Sequence, residues 1–202
     1  MEKSRILALV DGIFAVAMTL LVLDLKLPEG VTLNSDSEVW RQLLAVASRF
    51  WTYVLSFIVL GMYWVGHHAL FHSVHRVNRT LLWLNLLFLL FVTLVPFSTN
   101  LVSGHGNLQI PVVVYGLNLL AASGISLLQL RYLAKHPNLS HHQPSGPWFA
   151  NLTRRAAIPI VTALVSIALS FYKPNLAMNA YILLVLFHFL PGKHREPPEV
   201  EH

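Results

Sequence analysis

Leu81-Leu82-Trp83-Leu84-Asn85-Leu86-Leu87-Phe88-Leu89-Leu90-Phe91-Val92-Thr93-Leu94-Val95-Pro96-Phe97-Ser98 decides what kind of chain this is. The stretch carries no Asp, Glu, Lys or Arg. A helix needs about 17–25 mostly apolar residues to cross the hydrocarbon core of a bilayer, and this stretch has that length. Outward from it, five further segments qualify or nearly do. They are 6–25 (interrupted by Asp11 and Asp24), 50–66, 110–130, 156–172 and the short 176–190. The expected fold is an all-α membrane protein, one domain over residues 1–202, with six transmembrane helices.

Composition agrees. Of 202 residues, 55% are hydrophobic and 11% charged, and the mean hydropathy is +0.58. A soluble domain carries about 25% charged residues, so lipid must cover much of this surface. Breakers fall between the segments. Pro28-Glu29-Gly30 ends the first, Pro144-Ser145-Gly146-Pro147 marks a long loop, and Lys173-Pro174-Asn175 reads as a tight hairpin. Pro111 and Pro159 are expected in first turns, where proline is tolerated. Lys3 and Arg5 precede an apolar run as in a signal peptide. Asp11 interrupts that run and no small-residue cleavage site follows, so a retained first helix is expected.

With the N-terminus inside, ten of the 14 Lys and Arg residues fall on the inner side, leaving Lys26, Arg41, Arg49 and Lys173 outside. The positive-inside rule then puts both termini in the cytoplasm. The formal charge of +5 is not gathered into a basic stripe with interleaved aromatics, so no nucleic-acid partner is expected. Cysteine is absent, which excludes disulfides and thiolate metal sites. No Walker sequence, Gly-rich nucleotide loop or Ser/His/Asp set appears.

Ionisable groups inside spans are costly and usually have a purpose. Arg5 and Asp11 lie six residues apart, about 120° around a helix, so each should find a partner on another helix. At the same depth stand His67, His68, Trp83 and Asn85. Together these residues read as a polar clamp between helices, with a titrating proton relay as the sharper alternative. His68, His72 and His75 follow i, i+4, i+7 and would share a helix face. With His136, His141 and His142 they resemble the histidine boxes of membrane di-iron hydroxylases, but no carboxylate joins them. No bound metal is expected. Asp24 near the outer mouth either attracts cations by its field or pairs at the helix end with Lys26 or another subunit. Gly12, Ala15 and Thr19 form a small-residue stripe, and Val16, Thr19 and Leu23 an overlapping one.

The first span reads Arg5-x-x-x-Leu9-Val10-Asp11-Gly12-Ile13-Phe14-Ala15-Val16-Ala17-Met18-Thr19-Leu20-Leu21-Val22-Leu23-Asp24. It resembles the first helix of the transmembrane protein 175 family, whose signature there is R-x-x-x-F-S-D. Tyr63-Trp64-x-x-His67-His68 and Leu82 to Phe91 with Pro96-Phe97 extend the resemblance through the first three spans. Spans four to six match only in number and length. These are endolysosomal potassium channels and bacterial relatives.

The resemblance implies a homotetramer in the cell membrane whose first helices line a potassium-permeable pore, with potassium as permeant ion and no cofactor. It implies a hydrophobic constriction at Val16, a pore-facing Thr19 and a further apolar layer at Leu23. The family lacks the carbonyl filter loop of ordinary potassium channels, and no Thr-Val-Gly-Tyr-Gly run occurs here. Leu9 and Val10 replace the family's Phe and Ser, so any hydrogen bond of that serine is missing. The alternatives from the residues alone are a histidine-box metalloenzyme and a small secondary transporter, the latter disfavoured by the absence of internal repeats.

Overall fold

The computed structural model describes residues 3–27, 34–140, 147–174, 176–177 and 180–181. Among the described residues six α-helices have both ends defined: α1 Lys3–Leu20, α2 Asp36–Ala45, α3 Ala47–His72, α4 Arg79–His105, α5 Gln109–Lys135 and α6 Pro147–Ser170. Among the described residues, five helical segments are long and apolar enough to cross a membrane; α2 is not one of them. The sixth expected span, 176–190, lies outside the described residues except for Leu176, Ala177, Ala180 and Tyr181.

Two expected boundaries need correction. The second span ends not at Gly66 but at His72, so His67 and His68 belong to the helix. The fifth begins at Pro147 rather than Ala156, which places Pro159 inside α6 instead of in its first turn. Pro147 itself takes the start, where a missing N–H costs nothing. The short helix α2 was not expected, because it has no long apolar run. Its start is nonetheless written in the sequence. Ser35 Oγ accepts from Glu38 N–H at 3.3 Å, and Glu38 Oε2 accepts from Asn34 N–H at 2.9 Å. This is a near relative of the Ser-x-x-Glu capping box.

α5 is the centre of the bundle and packs along α4 and α6, while α1 packs on α4 and α3. Buried hydroxyls join the central helices. Thr99 donates to Ser56 Oγ (2.9 Å), which shares a hydrogen bond with the Tyr115 hydroxyl (3.1 Å). Tyr63 donates to the Leu119 carbonyl at 3.0 Å and meets Ser123 Oγ at 2.6 Å. Polar groups in such a core must find partners inside the protein, because lipid offers none.

Pro96 interrupts α4 and withholds the N–H that the Val92 carbonyl would accept. Asn118 of α5 stands beside this turn, its side-chain amide within hydrogen-bonding reach of the Phe91 carbonyl (3.2 Å), Val95 N–H (3.2 Å) and the Ser98 hydroxyl (3.1 Å). Gly116, also on α5, makes the contact with α6 close. A Cβ there would lie 2.7 Å from Ile167 Cγ1 and 2.9 Å from the Tyr181 hydroxyl.

Candidate functional site: the open face of the first helix

α1 is amphipathic without being polar. Ile6, Val10, Phe14, Ala17 and Leu21 are buried at spacings of four, four, three and four, the spacing of one helix face. Phe14 meets Phe88 of α4 with ring centroids 6.1 Å apart, and Met18 reaches Gly61 of α3. On the opposite side, Gly12, Val16 and Thr19 are uncovered, Val16 being 57% exposed. A Cβ added to Gly12 would meet nothing within 4 Å. Val10, which replaces the family's serine, is part of the buried face, whereas Leu9 is exposed.

The Thr19 hydroxyl donates to the Val16 carbonyl at 2.9 Å. Its proton is thereby turned back along the helix, which leaves its lone pairs for whatever lies over this face. Beyond Leu20 the winding tightens into a 3-10 turn, Leu21–Asp24. Each residue there advances by about 120° rather than 100°. Leu23 remains 57% exposed but is turned by about 60° from where an unbroken α-helix would put it, and Val22 swings toward the direction of Thr19. Regular α spacing would leave Val22 about 60° from Thr19, and the tighter turn narrows that angle.

Three polar attachments fix α1. Lys3 Nζ donates to the Val74 carbonyl at 2.8 Å, just past the end of α3. Asp11 Oδ1 accepts from Trp64 Nε1 at 2.9 Å. Asp24 accepts from the side chain of Asn100 on α4. Asp24 is thus held at the helix end by a neighbouring helix, not by Lys26.

The expected clamp is wired differently from the reading of the sequence. His67, His68, Trp83 and Asn85 were the candidates for Asp11, but its partner is Trp64, one turn earlier on α3. His67 pairs instead with Asn85 at 2.7 Å, fully inside the bundle, with its ring stacked near Phe71 and Phe88 (centroids 4.3 and 5.4 Å). His68 is exposed with its ring 5.9 Å from that of Trp64, and Trp83 is exposed on α4. Arg5 is exposed, with no partner among the described residues. The face expected for His68, His72 and His75 does not form, because α3 stops at His72 and His75 lies beyond its end. His136 stacks on Tyr132; His141 and His142 lie outside the described residues.

A bundle of membrane-crossing helices whose first helix is pinned at several heights, yet keeps an apolar face uncovered, defines a polytopic membrane protein. Residues 5–96 match the family described as "Endosomal/lysosomal potassium channel TMEM175". A protein from Chryseobacterium sp. strain P1-3, named as a potassium channel, is 33% identical over 97% of each chain. Another from Streptomyces collinus, also named as a potassium channel, is 32% identical over 93% of this chain and 91% of its own. The crystal structure of a lysosomal potassium-selective channel TMEM175 homolog from Chamaesiphon minutus superposes with a TM-score of 0.77 at 27% identity, covering 93% of this chain and 96% of that one. The chain belongs to the TMEM175 family. That family consists of ion channels, so the metalloenzyme and transporter alternatives fall away.

Proposed function

We propose that this chain is one subunit of a potassium-permeable channel, a homotetramer in the cell membrane with both termini in the cytoplasm. The first helix of each subunit lines the pore. The observation that carries this reading is the position of Val16 and Thr19, uncovered and opposite the buried face of an otherwise well-packed helix. One such helix cannot enclose a path, so symmetric copies must close it. Gly12 and Ala15 beside that face leave room for close approach of a neighbouring subunit.

Four copies of Val16 around one axis make an apolar ring that resists wetting and blocks ions. Four Thr19 hydroxyls lie about 4.5 Å further along. With each proton bonded to Val16, they offer oxygen lone pairs that replace part of the hydration shell of a cation. Asp24 stands beyond them and raises cation concentration at the outer mouth, Asn100 fixing its orientation. No cofactor takes part. Arg5 pairs with a group of the adjacent subunit.

The test is potassium flux from liposomes containing the purified protein, under a potassium gradient, with the mass of the complex measured in parallel. A conducting tetramer supports the reading. A monodisperse monomer that still conducts, or a stable tetramer that passes no potassium in any condition that wets the pore, overturns it.

A further inference from the structure

A cleft runs between α3, α5 and α6, away from α1, in the half of the bundle that holds the start of α1. It is an open groove rather than an enclosed cavity, with about 40 Å³ of room inside its walls. Its walls are mostly apolar, with Met62, Val65 and Leu130 prominent, and Ser126 adds a hydroxyl. The charged residue in the wall is Arg155. It sits eight residues into α6, inside a membrane-crossing segment, half-buried and without a hydrogen-bond or ion-pair partner among the described residues. A lone cation at such a position is costly unless something of opposite charge meets it.

The backbone beside it is unusual as well. Pro159 is four residues on and also lines the cleft. It has no N–H to give the Arg155 carbonyl, so the cleft presents a cationic fork and an underused acceptor on the same residue. The surrounding charge offers no relief. Arg79, Arg131, Lys135 and Arg154 are exposed at this end of the bundle. The carboxylate there among the described residues is Asp11, already bonded to Trp64. An apolar groove inside the membrane, a guanidinium in its wall and an acceptor beside it suit one kind of molecule.

We propose that this cleft holds an anionic phospholipid. Its phosphate sits on the Arg155 guanidinium, a headgroup hydroxyl donates to the Arg155 carbonyl, and an acyl chain lies along Met62, Val65 and Leu130. Basic pockets between membrane helices bind anionic headgroups in this way. The site does not depend on the pore, so failure of ion flux would leave it standing.

Phosphatidylglycerol is the probe, with phosphatidylcholine of the same chains as control, added to the full-length complex in neutral detergent. Bound lipid is counted by native mass spectrometry, and thermal unfolding is followed because a ligand of the folded state raises its stability. Phosphatidylglycerol is expected to bind and to raise the Tm where phosphatidylcholine does not. Arg155→Gln should abolish the difference and Arg155→Lys should keep most of it. Arg154→Gln, an exposed arginine bonded to Asn151, should leave it unchanged. Val65→Trp fills the groove without removing charge and should also abolish the difference, which carries the test if Arg155→Gln does not fold.

Equal protection by both lipids overturns the proposal, as does equal protection by inorganic phosphate alone. So does retention of the difference in both Arg155→Gln and Val65→Trp. Binding that appears only after Glu196, Glu199 and Glu201 are changed to Gln also overturns it, since the C-terminal segment would then be the occupant.

Discussion

Asp11 lies eight residues after Lys3, and Trp64 lies eight residues before His72. Because α1 and α3 run antiparallel and Lys3 bonds the chain just past His72, the two side chains arrive at the same height and meet at 2.9 Å. The pairing is a matter of register. Trp64 brings a donor with no competing acceptor, which suits a carboxylate.

Trp64→Phe keeps the ring and removes the donor, and Asp11→Asn removes the charge. Each is expected to loosen the assembled complex while leaving its ion selectivity in place. Their coupling in a double-mutant cycle should be about 0.6 kcal/mol and at most about 1.7, the range of hydrogen bonds between membrane helices. Thermal unfolding of the four combinations measures it. A stable Asp11→Asn complex with altered selectivity would instead put Asp11 in the ion path.

Val16→Asn should raise conductance by wetting the apolar ring, and Thr19→Ala should weaken potassium preference with conductance retained. Ile13, half-buried against the bundle, is the control that changes neither. Val22 is not a control, because the tightened turn brings it toward the Thr19 side. Reversal potentials with potassium and sodium on opposite sides give the answer. Unmoved values for Thr19→Ala, with unmoved conductance for Val16→Asn, would remove the first helix from the pore wall.

Gly116→Ala should destabilise the subunit by about 1–3 kcal/mol, the usual cost of overpacking. The new methyl would press on the Ile167 side chain and the Tyr181 hydroxyl. Gly12→Ala is the contrast, since nothing within the subunit lies over it. A denaturation series on the two variants separates packing within the subunit from packing between subunits.

Gln129→Leu should stabilise the fold by about 1–3 kcal/mol, the desolvation cost of a buried polar group left unpaired. Gln129 is fully buried on α5, and neither its amide nitrogen nor its oxygen has a partner among the described residues. A lower stability in the leucine variant, by the same denaturation measurement, would show that the amide has a partner in the assembled complex.

Long apolar runs made the spans legible from the sequence, and that signal is insensitive to detail. Their ends were less legible. The helix α3 was expected to stop at Gly66 because histidines follow it, and polar residues usually mark an exit from lipid. His67 stays inside because Asn85 and two phenylalanine rings enclose it, a fact about α4 that no local pattern holds. With α3 cut short, counting depth from its end pointed to His67 and His68 and missed Trp64. The length of α3 was the missing number, since Trp64 stands in the quoted motif Tyr63-Trp64-x-x-His67-His68. The helix α2 was missed for the opposite reason. Its signal is the cap at Ser35 and Glu38, not hydrophobicity. Spacing grouped Val16, Thr19 and Leu23 on one stripe, and all three are exposed, but spacing alone could say neither that the stripe is left uncovered nor that the winding changes after Leu20.

Lys3, Asp11 and Asp24 bind the first helix to its own subunit near its start, partway along and at its far end. A rod pinned at three heights to two neighbours has no axle to spin on and no loose end to swing. In the proposed channel, a pore walled by such rods would have two ways to change state. Either whole subunits slide apart, breaking contacts between them, or water enters and leaves a passage whose backbone stays still. The second needs only a shift in the affinity of a few side chains for water. Closed would then mean dry, with little visible difference in shape between the resting and conducting forms.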